Sequence, residues 1–101
     1  MGELHDWLRH QHPGLRTYRT LNEKLLQAAK DDPTHRAVYR LLSNLASGYA
    51  ATFDEEPLPI EVAERAYQRL LSLVAEAERS LGSPIETQLA VLNEIAASEL
   101  Y

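Results

Sequence analysis

A chain of 101 residues that is 45% hydrophobic and contains no cysteine has the size and apolar content of one domain able to bury a core unaided. The missing cysteines exclude a disulfide framework, thiolate catalysis and thiolate-bound zinc or iron–sulfur clusters, and they fit a reducing, cytoplasmic setting. The net charge of −5 divides into +2 over residues 1–50 and −7 over residues 51–101, a polarity that can steer a charged partner or favour head-to-tail contact between two copies.

The opening residues, MGELHDWLRH, lack a basic stretch followed by an apolar run, and no run of about eighteen apolar residues occurs anywhere. Neither a secretion leader nor a membrane span is expected. Leu4, Trp7 and Leu8 follow i, i+3, i+4 spacing and predict a short helix over Gly2 to Gln11, stopped by His12-Pro13-Gly14. Thr20 followed by Glu23 matches a capping box, so a second helix is predicted to start near Thr17 or Thr20 and to end at Lys30-Asp31. Tyr18, Leu21, Leu25, Ala28 and Ala29 form its apolar face.

Asp32-Pro33 is a helix start signal: the acid accepts from free amides, and proline at the first helical position has no amide to satisfy. The central helix predicted from it spans Asp32 to Asp54 and contains thirteen uncharged residues in a row, Leu41 to Phe53. Val38, Leu42, Leu45, Tyr49 and Phe53 share one side at about 100° per residue. A helix this poor in charge is expected to be covered on two sides. Its other side holds Ser43, Ser47, Gly48 and Ala51, with Arg36 and Arg40 continuing the strip toward the N-terminus.

Asp54-Glu55-Glu56-Pro57 reads as a solvated loop, because carboxylates oppose the dipole of a helix C-terminus. Pro57-Leu58-Pro59 stiffens the turn into a fourth helix, Pro59 to Leu81, expected to fold back on the central one as a tight antiparallel hairpin. Its stripe is Ile60, Ala63, Ala66, Tyr67, Leu70, Leu71, Val74, Ala77 and Leu81. Gly82 is placed for a left-handed cap, and Ser83-Pro84-Ile85-Glu86 starts a last helix that is expected to run to Tyr101. No window alternates apolar and polar residues between turn signals, so no strand is predicted. The expected fold is all-α: one domain, residues 1–101, a small bundle of four to five helices with a central long-helix hairpin.

Chemistry is sparse. His5, His10 and His12 lie near Glu3 and Asp6, a donor set for zinc, nickel or copper, yet His5 and His10 stand about 140° apart on a helix and do not share a face. His35 near the start of the central helix reads as a packing or surface residue. No HExxH, phosphate-binding loop, dinucleotide fingerprint, nucleophile elbow or Glu-x-x-His pair occurs, so neither catalysis nor a cofactor is expected. Arg16, Arg19, Arg36 and Arg40 make one candidate basic patch for an anion or an acidic peptide, whereas the acidic overall charge disfavours nucleic acid. Glycine inside a helix costs about 1 kcal/mol relative to alanine, so Gly48 asks for a reason: close packing within the chain, the approach of a second protomer or partner helix, or a ligand cavity.

The expected function is therefore a non-catalytic, regulatory or adaptor interaction module that engages a protein partner. It is expected to form a homodimer through the strip Arg36, Arg40, Ser43, Ser47, Gly48 and Ala51. Two alternatives stay open: a small-molecule or metal-binding bundle, and anion or nucleic-acid binding through the arginines, including Arg16 and Arg19.

Overall fold

The computed structural model describes residues 2–54 and 59–100. Five α-helices occur in the order α1 (Glu3–Leu8), α2 (Leu15–Asp31), α3 (Arg36–Thr52), α4 (Ile60–Ser80) and α5 (Ile85–Ala97), with a 3₁₀ turn, Pro33–His35, leading into α3. There is no strand among the described residues. The Cα radius of gyration, 13.0 Å, is that of one folded unit of about 100 residues.

The tightest pairing is α2 with α3. The two run antiparallel, as the cross-links between them show: Tyr18 stacks on Tyr49 with ring centroids 4.3 Å apart, Ser43 donates to the Asn22 side chain, and Arg36 Nε donates to the Ala29 carbonyl at 2.9 Å. The hairpin expected between the central helix and α4 is thus made by α2 and α3 instead. A three-residue 3₁₀ turn brings α2 back against α3 at once. The connection to α4 passes through residues 55–58, so the expected acidic loop and Pro57-Leu58-Pro59 turn lie largely outside the described residues.

Several boundaries differ from expectation for local reasons. Helix α2 begins at Leu15, with Gly14 extended at its N-cap, so Thr20 and Glu23 sit inside the helix rather than at its start. Asp32 does not launch α3 directly: its carboxylate accepts from His35 Nδ1 at 2.7 Å, and α3 proper begins after the 3₁₀ turn. That hydrogen bond is the main reason the Asp32 carboxyl is held below its ordinary range. Gly82 is not left-handed; Gly2 alone among the described residues has a positive φ. The α4–α5 turn instead closes with short i+3 bonds, Leu81 N to Glu78 O and Ser83 N to Ser80 O. Helix α5 stops at Ala97, where Ser98 turns extended and directs Leu100 back into the core.

The core is one cluster. Tyr18, Leu21 and Leu25 of α2 meet Leu42, Ala46 and Tyr49 of α3, and Leu70, Leu73 and Val74 of α4 close the far side with Ile95. Helix α1, too short to be stable alone, is held from outside. Its Leu8 is fully buried, and the Glu78 carboxylate of α4 accepts from the free amides of Leu4 (3.1 Å) and His5 (2.8 Å). A carboxylate from a neighbouring helix therefore does what a side-chain N-cap does within a helix. At the other end of α1 the Tyr67 hydroxyl donates to the Leu8 carbonyl and lies 3.0 Å from that of Gln11.

The hydroxyls of Tyr67 and Tyr18 differ in their surroundings. That of Tyr67 satisfies backbone carbonyls, whereas that of Tyr18 is buried beside Tyr49 with no carbonyl or carboxylate among the described residues accepting from it. Burial, then the neighbouring Tyr49, raises the Tyr18 phenol far above its ordinary range. Tyr67→Phe should cost about 1–2 kcal/mol, the scale for orphaned buried acceptors, and should release the α1 amides to hydrogen exchange. Tyr18→Phe should cost less than Tyr67→Phe in the same urea titration; the reverse order would mean that the core hydroxyl is the better satisfied of the two.

Candidate functional site

The residues expected to form one strip on the central helix have different neighbours. Ser43 is buried and bonded to Asn22, so it belongs to the α2–α3 seam and is closed to a partner. Ser47 and Ala51 are exposed and line an open cleft of about 460 Å³ between α2 and α3 with Arg19, Asn22, Glu23 and Asp54. Gly48 turns the other way, toward Ser98, Glu99 and Leu100 at the C-terminal end of the fold. A one-helix projection groups these positions; the neighbours of α3 divide them.

The four arginines are likewise separated. Because α2 and α3 are antiparallel, Arg16 and Arg19 lie at the end of the hairpin near Asp54, and Arg36 lies at the end near Ala29. At 1.5 Å per residue along α2 the two pairs stand roughly 14 Å apart along the hairpin axis, from about 9 Å for Arg19 and Arg40 to about 20 Å for Arg16 and Arg36. Arg19 is paired with Asp54 and Arg36 donates to a backbone carbonyl, while Arg16 and Arg40 are exposed. The arginines expected to form one patch are thus spread along the α2–α3 hairpin, with Arg16 and Arg36 farthest apart.

At the N-terminus His10 Nδ1 donates to the Asp6 carbonyl at 2.7 Å, and His5 gives its backbone amide to Glu78. Among the described residues no three His, Asp or Glu side chains gather closely enough to hold a metal ion. Nor is any described helix long and apolar enough to cross a membrane.

The feature that reading each helix in isolation misses is the outer surface of α5. Of its thirteen residues only Ile95 is buried, while Ile85 is 72% and Leu89 56% exposed. The apolar row Ile85, Leu89, Leu92, Ile95 and Leu100 is covered only toward its C-terminal end: Ile95 and Leu100 are buried and Leu92 is half-buried near Thr34 and Val38, whereas Ile85 and Leu89 are exposed. On the opposite flank Glu94 meets Glu76 of α4. Desolvation, and then the hydrogen bond and charge of Glu94, raise the Glu76 carboxyl above its ordinary value. A signal for this surface exists in the sequence: α5 is apolar on several sides, and a helix apolar all round needs cover all round.

Comparison with protein-family models, with curated proteins and with solved structures finds no match to this chain.

Two stability measurements check this geometry. A Cβ built on Gly48 meets nothing within 4 Å, so close packing inside the chain does not explain the glycine, and Gly48→Ala should stabilise the monomer by about 0.5–1 kcal/mol in urea denaturation. A loss of stability would show that the space is filled. Glu76 keeps its proton to higher pH in the folded than in the unfolded state, so its contribution favours folding at low pH and is lost as pH rises through the raised folded value. Glu76→Gln should therefore raise the midpoint at neutral pH, with the gain vanishing below the ordinary glutamate range; a gain independent of pH would dismiss the carboxylate pair.

Proposed function

We propose that the chain is a non-catalytic protein-interaction module, a regulatory or adaptor subunit that works as a homodimer. The observation that carries this reading is the exposed apolar pair Ile85 and Leu89, one turn apart on a helix with a single buried residue. An isolated exposed leucine is ordinary. Two large apolar side chains at i, i+4 form a patch of the kind that marks contact sites.

The groups that would otherwise suggest chemistry hold the fold. Glu78 caps α1, Tyr67 satisfies α1 carbonyls, His35 is engaged with Asp32, and Arg19 with Asp54. The cleft beside Ser47 falls in the volume range of ligand sites, but the ion pair at its rim, Arg19 to Asp54, closes on itself. The Gly48 side of α3 faces Ser98, Glu99 and Leu100, beyond the end of α5.

Sedimentation velocity across the micromolar range tests the reading. The chain should pass from monomer to dimer with rising concentration, and Leu89→Glu, which alters an exposed position outside the core, should stay monomeric with an unchanged circular dichroism spectrum and melting midpoint. A wild-type chain that is monomeric at high micromolar concentration would overturn the homodimer.

A further inference from the structure

Helices α4 and α5 form an antiparallel hairpin. Positions that advance along α5 meet positions that recede along α4: Gln88 bonds to the Leu81 carbonyl, Glu94 meets Glu76, and Arg69 donates to Ser98 Oγ at 3.1 Å. The grip on this arm is concentrated at its tip. Ile95, Ser98 and Leu100 are buried, and Leu100 shares one cavity with Leu45 and Tyr49 of α3 and another with Val62 of α4. From Ile85 to Val91 no residue is buried, so the root of the arm, next to the turn, is the part that the monomer leaves uncovered.

The turn at that root is short. Four residues, Leu81 to Pro84, join Ser80 at the end of α4 to Ile85 at the start of α5. Leu81 keeps helical backbone angles and Pro84 is extended, so the reversal is made at Gly82 and Ser83, neither of which has a positive φ. Straightening it breaks two hydrogen bonds of Ser83, to the Ser80 and Arg79 carbonyls, and moves no buried side chain of the turn itself.

Two copies that met only through Ile85 and Leu89 would cover two side chains each, far less than the roughly 800 Å² per partner of a stable interface. Exchange of arms supplies the missing area. The seat of Ile95, Ser98 and Leu100 is the same in every copy, so an arm that leaves its own fold recovers all of these contacts in a second one. Fully extended, the five residue steps from Ser80 to Ile85 span at most roughly 18 Å. An arm seated in a second copy therefore draws the two turns together at the two-fold axis. The side chains nearest that meeting point are Ile85 and, one helical turn on, Leu89.

Resting on the homodimer reading above, we infer that two copies of the chain exchange their C-terminal arms, α5 and Ser98–Leu100 of each lying in the seat of the other, with Leu81–Pro84 as the hinge. Both halves of the arm then have a reason: a tip that fits this fold, and an apolar root that one copy of the fold does not cover.

The absence of cysteine allows a direct test. Glu76 and Glu94 meet across the hairpin, so Glu76→Cys in one preparation and Glu94→Cys in another put one thiol on either side of it. The two variants are unfolded, mixed, refolded together at a concentration where the wild type dimerises, treated with a short bis-thiol cross-linker and separated under denaturing conditions. With exchanged arms the thiol on α4 of one chain faces the thiol on α5 of the other, and covalent heterodimers form that neither variant gives alone. Without exchange each thiol faces a glutamate of its own chain. A dimer that yields no covalent heterodimer overturns this inference while the homodimer stands, and a chain that never dimerises removes both. A short glycine insertion after Gly82 lets the arm fold back and holds the two turns apart, so it should weaken the dimer about tenfold; an unchanged affinity would count against exchange. Circular dichroism of each variant, expected to match the wild type, separates lost association from lost folding.

Discussion

Burying α3 from two sides is the constraint that organises the molecule. From Arg36 to Thr52 its only charges are two arginines near its start, so its last three turns cannot be left in water without exposing a long apolar surface. Helix α2 covers one flank through the Tyr18–Tyr49 stack and the Asn22–Ser43 bond, and α4 and α5 cover the other through Leu70, Val74 and Ile95. The short 3₁₀ connection makes α2 the neighbour nearest to α3 in the chain. What α4 and α5 can reach is then whatever α2 has left open.

The same logic explains why α1 needs Glu78. Six residues cannot propagate a helix against the cost of nucleation, and the α1 N-terminus begins after a left-handed Gly2 with no side-chain cap of its own. A buried carboxylate is expensive unless it is fully engaged, and two backbone amides engage this one. Glu78 and the first turn of α1 each remove the other's penalty, while Trp7 lies beneath the Lys24 ammonium, 5.0 Å from ring centroid to nitrogen. The docking of α1 is thus polar at the backbone of its two ends and apolar through the Leu8 side chain.

Periodicity is informative wherever one helix face decides burial. Val38, Leu42 and Tyr49 on α3, Tyr18, Leu21 and Leu25 on α2, and Ala66, Leu70 and Val74 on α4 are all buried as their spacing requires. It is uninformative about which helix covers which face. Ser43 resembles part of an open strip because its spacing matches Ser47, and only the arrival of α2 makes it a seam residue. Glu78 resembles one more surface acid because nothing in a helical projection reveals a neighbour's unsatisfied amides. The arginines resemble one patch because a sequence does not record that antiparallel helices carry their early and late residues to opposite ends.

Helix α5 is more apolar than its own fold can cover. Its hold on the rest of the chain comes from Ile95, from Gln88 bonding to the Leu81 and Ser83 carbonyls, and from the Ser98–Leu100 segment beyond its end. With a single buried side chain in thirteen residues, it has less apolar anchorage than α2, α3 or α4, and local opening is cheapest where such contacts are few. Replacing Ile85 and Leu89 by polar residues would remove no core contact that the monomer makes. Keeping them leaves unburied apolar area worth about 25 cal/mol per Å², free energy that only a second surface can recover. Any partner that covers this face therefore binds and stabilises in the same step, since it raises the cost of opening the helix it touches.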